Sequence, residues 1–292
     1  LVSLRCGLFG SEATFEPASN GAVHVGPPWK IKARQAVQLT LASLDAADMG
    51  GYLHIRSNIA PGWGLGSSTS DVTAAIRAVA RALNVKLSRE VIAKLAVKSE
   101  IASDPIMYGD RAVLFAHREG MVIEDLGGAL PPLRVVGCNT DPTGAGINTL
   151  RYAPARYTWW EIEAFRPLLG LLRQAVHTQN ARLVGQVASA SARLNQQFLP
   201  KPRFDRLEQL AETVGALGLQ VAHSGTVIGW LFDPADLCVQ ERIQETQARL
   251  AEMGFDPVWE FCTQHEELVT RWESVGLNET SPRRSSFLAS SG

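Results

Sequence analysis

Pro61-Gly62-Trp63-Gly64-Leu65-Gly66-Ser67-Ser68-Thr69-Ser70 is flanked by two different periodicities. Before it, Tyr52-Leu53-His54-Ile55-Arg56 alternates as a strand does; after it, Val72, Ala75, Ile76, Val79, Ala80 and Leu83 mark one face of a helix. The unit is therefore a strand, a glycine-rich loop and a helix. Glycines at 62, 64 and 66 let the backbone pass close to a ligand. Ser67, Ser68 and Thr69 bring hydroxyls and unpaired N–H groups to the positive pole of a helix, an arrangement that suits phosphate. A Walker loop needs Gly-Lys-[Ser/Thr], and here Gly66 is followed by Ser67. A dinucleotide fingerprint needs a third glycine where Ser67 or Thr69 stands. A tight turn with Ser and Thr caps and no ligand is the alternative that the residues leave open.

Outward from this unit, residues 33–44 repeat with a helical period, and residues 2–9 read as a strand within a Gly- and Pro-punctuated start. Ser88 is placed to cap a helix carrying Val91, Ile92 and Leu95. Residues 111–115 and 121–124 form a hairpin pattern, and 133–138 a further strand. Helical patterns follow at 160–176, 183–194 and 204–214. Strands follow at 219–222 and 226–232, then a helix from an Asp236 cap to Met253 and a strand at 258–261. Composition and element order change near 140–155. The Ser-, Arg- and Asn-rich tail from about Asn278 is too polar to offset its ordering entropy and reads as disordered.

The whole chain has 292 residues, 46% hydrophobic and 20% charged, with a net charge of -1. That balance supports a real core and supplies no overall basic field for a nucleic-acid backbone or an anionic membrane. No apolar run approaches the roughly 18 residues that span a bilayer. Cys6, Cys138, Cys238 and Cys262 form no C-x-x-C pair, and His265-Glu266-Glu267 lacks the second histidine of a zinc-protease helix. Free thiols of a cytoplasmic protein are expected.

Two further strings carry chemistry. Ser99-Glu100-Ile101-Ala102-Ser103-Asp104-Pro105 puts two carboxylates after the second helix, where they could hold Mg²⁺ through hard oxygens or orient an attacking hydroxyl. Alternatively, Asp104 merely starts a turn and Glu100 is a solvated helix-end charge. Val221-Ala222-His223-Ser224-Gly225-Thr226-Val227-Ile228-Gly229 makes a tight turn with exposed donors, or a plain link into a strand.

The string Pro61-x-x-Gly64-Leu65-Gly66-Ser67-Ser68 resembles the phosphate loop of the GHMP kinase superfamily, with Thr69 and Ser70 in place of the usual two alanines. The 221–229 string resembles the C-terminal glycine motif of the same superfamily, in the variant of the bacterial L-threonine kinases of cobalamin biosynthesis. The 99–108 string, followed by His117, resembles their Glu-Pro-[Ser/Thr]-Asp segment; Asp104 matches, and Glu100 stands one residue farther away than the family glutamate. The likeness extends over about residues 1–262. Those kinases have a Pro-Gly-Thr-Cys-Gly-Glu-like segment ahead of a stretch like Leu1-Val2-Ser3.

The resemblance implies an α+β, two-lobed fold, with a ribosomal-protein-S5-like first lobe and a ferredoxin-like second lobe. The expected ATP-binding domain is 1–145, the C-terminal domain 146–277 and the tail 278–292. ATP would sit on Pro61, Gly62, Gly64, Leu65, Gly66, Ser67, Ser68 and Thr69. Ser68 and Glu100 would hold Mg²⁺, Asp104 with Ser68 would serve catalysis, and His223, Ser224, Gly225 and Thr226 would meet the substrate. The implied activity is ATP-dependent phosphorylation of a small alcohol, L-threonine first. Another acceptor such as homoserine, or a non-catalytic ligand sensor, is the alternative.

Overall fold

The structure, a computed structural model, describes residues 2–19, 21–141, 143–144, 146 and 156–263. The first lobe contains β1 (Ser11–Ala18), β2 (Val23–Gly26), α1 (Ile31–Ser43), β3 (Gly50–Ser57), α2 (Ser67–Ala82), α3 (Arg89–Glu100), β4 (Val113–Ala116) and β5 (Met121–Asp125). Its three-stranded sheet has the order β1-β3-β2, with β1 antiparallel and β2 parallel to β3. Leu53 and Ile55 of β3 point inward, while Tyr52, His54 and Arg56 point to solvent, as expected where one sheet face is covered. The cover is helical. Val72, Ala75, Ile76 and Val79 lie along the buried stripe of α2 and share a core with Val37 and Leu41 of α1 and Ile92 and Leu95 of α3. Ser88 caps α3, its side chain accepting from the Val91 N–H.

A partly buried ion pair joins the loop before α1 to α2. Lys30 Nζ lies 2.5 Å from Asp71 Oδ2, and the Ser11 hydroxyl donates to Asp71 Oδ1 at 2.8 Å. Removing the cation strands a carboxylate that is only 7% exposed. Lys30→Met is therefore expected to cost about 3 kcal/mol of stability, read as a lower denaturant midpoint at unchanged slope.

The second lobe contains β6 (Arg134–Asn139), α4 (Trp159–His177), α5 (Ala181–Asn195), α6 (Phe204–Thr213), β7 (Gly218–Val221), β8 (Val227–Phe232), α7 (Val239–Glu252) and β9 (Val258–Cys262). The sheet order is β7-β8-β6-β9, antiparallel throughout. With three helices between β6 and β7 and one between β8 and β9, this is the β-α-β-β-α-β pattern of a ferredoxin-like sheet with its first crossover enlarged. Every residue of β8 is buried because both sheet faces are covered. Ile228, Trp230 and Phe232 pack with α6 and α7, whereas Leu231 packs with α4 and α5.

Several expectations change. β6 precedes the 140–155 changeover read from composition, yet its ladder partners are β8 and β9; the strands of the first lobe end with β5. Residues 2–9 are not a strand. Val2 and Leu4 instead pack in the core beneath α4 and α5, and Phe9 meets Trp259 edge-on. The N-cap of the last helix is Cys238 rather than Asp236, whose Oδ1 accepts from the Cys238 N–H just ahead of the helix. All four cysteines are free thiols. Among the described residues no helix is long and apolar enough to cross a membrane. The tail expected at 278–292 lies outside the described residues.

Candidate active site

The loop between β3 and α2 bends through three left-handed glycines, with φ of +77° at Gly62, +85° at Gly64 and +73° at Gly66. L side chains rarely adopt such angles. Gly66 is the N-cap of α2, and among the described residues no side chain caps that end. The first N–H groups of a 16-residue helix are thus left for a ligand, at its positive pole.

A second loop closes on this one. The turn between β7 and β8 presses Gly225 against the backbone of Trp63 and Gly64. A Cβ at Gly225 would stand 2.1 Å from the Trp63 carbonyl, and one at Gly64 would stand 2.5 Å from Ala222 Cβ. The Trp63 carbonyl accepts from Thr226 N–H at 3.0 Å and from Val227 N–H at 3.2 Å. The Trp63 ring stacks on Trp259, with centroids 6.0 Å apart, and its Nε1 donates to the Gly144 carbonyl. Leu65 packs into the same apolar group.

Beneath the start of α2 lies Glu100, at the last turn of α3 and 8% exposed. Ser68 Oγ donates to its Oε2 at 2.5 Å, and Thr69 Oγ1 donates to its Oε1 at 2.7 Å. Burial pushes the Glu100 carboxyl above the usual range, opposed by those two hydroxyls and the charge of Lys32. The left-handed Ile101, φ +74°, then turns the chain out of α3 toward Asp104. Asp104 N–H donates to Thr69 Oγ1 at 3.3 Å, and Asp104 Oδ2 lies 3.2 Å from where a Cβ on Gly66 would be. The carboxylate therefore faces the open end of α2.

His117 and His223 approach from opposite lobes, their ring centroids 6.0 Å apart. The His117 carbonyl accepts from Ser103 N–H at 2.8 Å, which ties the β4–β5 turn to the Asp104 segment. Surrounding protein raises the Asp104 pKa, against the charge of His117, and burial lowers that of His223, helped by the charges of His117 and Lys201. Asp104 and His223 nonetheless have exposed surface. Crowding together with exposure is what the wall of a cleft produces. Two other hollows, of about 570 and 450 Å³, contain none of Glu100, Asp104, His117 and His223, and Lys201 lines the second of them.

The residues read from sequence are thus gathered around the start of α2. Gly62, Gly64, Gly66, Ser67 and Ser68 form the loop and helix start. Thr69 is 4% exposed and spends its hydroxyl on Glu100. Pro61 is exposed at the loop's entry, and Leu65 is packing. Gly225, expected to meet substrate, packs on Trp63 and Gly64, and Thr226 is bonded through its backbone to Trp63 and Thr140 while its buried Oγ1 has no partner among the described residues. That leaves His223 and Ser224 on the open side. Sequence reasoning missed the docking role of Trp63 and left His117 without a task. The only signal for either was position, inside the glycine string and at the hairpin turn.

Residues 32–110 match the family model described as the GHMP kinases N terminal domain. An L-threonine kinase from Salmonella typhimurium is 28% identical over 205 residues, spanning 70% of this chain and 66% of that enzyme. A mevalonate kinase from Pyrococcus furiosus is 41% identical over 68 residues, 23% of this chain and 20% of that one. The chain thus matches just under two thirds of the threonine kinase's length. In structure, a homoserine kinase from Cytophaga hutchinsonii superposes with a TM-score of 0.63 at 16% identity, covering 87% of this chain and 84% of that one.

Proposed function

We propose that this chain transfers the γ-phosphoryl group of ATP to the hydroxyl of L-threonine, a reading supported by the match of residues 32–110 to the GHMP kinase N-terminal domain and by a fold like that of homoserine and mevalonate kinases. The observation that carries the reading is the uncapped start of α2 with two carboxylates, Glu100 and Asp104, turned toward it. The threonine assignment draws its support from the Salmonella relative.

In this reading the triphosphate lies on the N–H groups from Gly64 to Thr69, which need no reorganisation to receive it. The oxygen donors of Ser68 and Glu100 fit Mg²⁺, which takes few carboxylates and completes its shell with phosphate and water. Among the described residues no three His, Cys, Asp or Glu gather to hold a metal unaided. Magnesium bound there would neutralise phosphate charge. Asp104 accepts or orients the proton of the acceptor hydroxyl as its oxygen bonds to the γ-phosphorus and the bond to ADP breaks. Little covalent help is required, so positioning and charge carry the reaction.

The test is acceptor-dependent ADP release across L-threonine, L-serine, L-homoserine and mevalonate. L-threonine is expected to give the highest kcat/KM, and a higher value with another alcohol reassigns the acceptor. Ser68→Ala removes a hydroxyl held on a buried carboxylate. It is expected to raise the Mg²⁺ concentration for half-maximal activity about tenfold or more, measured by metal titration at saturating ATP.

A further inference from the structure

Helix α2 begins at the cleft and ends far from it. With a rise of about 1.5 Å per residue, Arg81 in its last turn stands about 20 Å along the helix from Ser68. The chain then passes the left-handed Asn84, φ +55°, and enters α3 at the Ser88 cap. The corner between the two helices encloses a hollow of about 570 Å³, within the range of small-molecule sites.

Its walls are of two kinds. Leu87, Ile92 and Met107 form an apolar floor, with Ile92 and Met107 buried. Arg77, Arg81, Lys86 and Arg89 line the same hollow with exposed side chains, and among the described residues no carboxylate lines it. Such a gathering of cations is a local excess in a chain whose net charge is -1. Arg89 is the one with a fixed counter-charge, its Nη1 and Nη2 donating to Asp110 at 2.8 and 2.9 Å. None of the ion pairs among the described residues includes Arg77, Arg81 or Lys86. The neighbouring carboxylate of Glu90 is engaged by its own N–H and the Ser88 hydroxyl.

This arrangement works against the fold. Arg77 and Arg81, four residues apart on α2, are a like-charge pair that costs helix stability. Surrounding protein, then the charge of Arg89, lowers the Arg77 pKa. Arg81 suits the negative pole of α2, but Arg77 lies a turn further in and Lys86 outside the helix, so the dipole accounts for neither.

We propose that this corner binds a phosphorylated small molecule with an apolar body, the phosphate among Arg77, Arg81 and Lys86 and the body against Leu87, Ile92 and Met107. Guanidinium forks match pairs of phosphate oxygens, and a dianion there relieves the repulsion between the cations. A hollow of this size fits a metabolite rather than the extended track of a nucleic-acid backbone. It is distinct from the glycine loop, and it stands whether or not L-threonine is the acceptor in the cleft.

Equilibrium dialysis of the full chain against 1-naphthyl phosphate, 1-naphthol and inorganic phosphate tests the proposal. The ester is expected to bind at least about tenfold more tightly than either fragment, because only it satisfies both walls. Arg77→Gln combined with Lys86→Gln should weaken the ester at least about tenfold. That double variant breaks no ion pair among the described residues and relieves repulsion, so it should melt no lower than the parent. On binding, amide exchange should slow across residues 83–88 and stay unchanged across 62–69. The proposal is overturned if either fragment binds as tightly as the ester, if the double variant binds the ester as the parent does, or if protection falls on 62–69. Tighter binding of an eight-nucleotide DNA strand than of the ester overturns the small-molecule class. Failure of acceptor-dependent ADP release counts against the phosphotransferase reading alone.

Discussion

Asp104→Asn is expected to bind Mg·ATP as the parent protein does and to turn over at least about 10²-fold more slowly. The asparagine keeps the shape of the side chain and the backbone bond from residue 104 to Thr69 Oγ1. The phosphate donors are N–H groups of the loop and α2, which the substitution leaves in place, so the loss should appear in kcat. Surrounding protein raises the Asp104 pKa while the charge of His117 opposes; a carboxylate so shifted is a stronger base once ionised. The acid limb of the parent kcat–pH profile should accordingly lie above the ordinary aspartate range and vanish in the variant.

Stability runs the other way. A carboxyl whose folded pKa is raised favours the fold at low pH and loses that contribution as pH rises through the unfolded and then the folded value. Near neutrality the ionised Asp104 opposes folding, and Asp104→Asn should melt no lower than the parent. Lost turnover with an intact melting curve separates chemistry from unfolding. A kcat within threefold of the parent sinks the proton-accepting role.

What the sequence revealed, and what it concealed, divides by the range of the interactions. Gly62, Gly64 and Gly66 were legible because left-handed backbone at alternate positions demands glycine. α2 was legible because its buried stripe repeats with the helical period, and the start of α3 because Ser88 bonds three residues ahead. β1 was missed although Ala13 and Phe15 alternate with Glu12, Thr14 and Glu16, because a strand with acidic outward residues and Pro17 is defined mainly by its ladder to β3. The allegiance of β6 was hidden for the same reason: its partners lie some 90 to 130 residues downstream. In the site, the chemistry of Glu100 and Asp104 left a plain turn and a solvated helix end equally open, and the resemblance of the 99–108 string singled them out. The diversion of Thr69 to Glu100, and of Gly225 to Trp63, required the two lobes to be seen in contact.

Gly225→Ala is expected to disturb both stability and ATP binding through a single added methyl group. Gly225 is not in the left-handed region, so the penalty is steric. The new Cβ would stand 2.1 Å from the Trp63 carbonyl carbon and oxygen and 2.2 Å from Gly64 N. These are backbone atoms, and they cannot rotate away as a side chain can. The β7–β8 turn must lift, which breaks the bonds from Thr226 and Val227 N–H to the Trp63 carbonyl. It also loosens Gly64, whose own Cα hydrogens face Ala222 and Gly225. Overpacking and lost hydrogen bonds together cost about 2–4 kcal/mol, enough to depress the melting temperature markedly. Because the displaced segment is the phosphate loop itself, ATP affinity should fall at least about tenfold in whatever fraction stays folded, measured by nucleotide titration below the transition. Gly170→Ala, on α4 with nothing within 4 Å of the added carbon, adds the same methyl group in open space and should leave both measurements as they are or raise stability slightly. If both variants bind ATP alike, the two glycine loops do not depend on each other, and the coupling between lobes inferred from Trp63 is wrong.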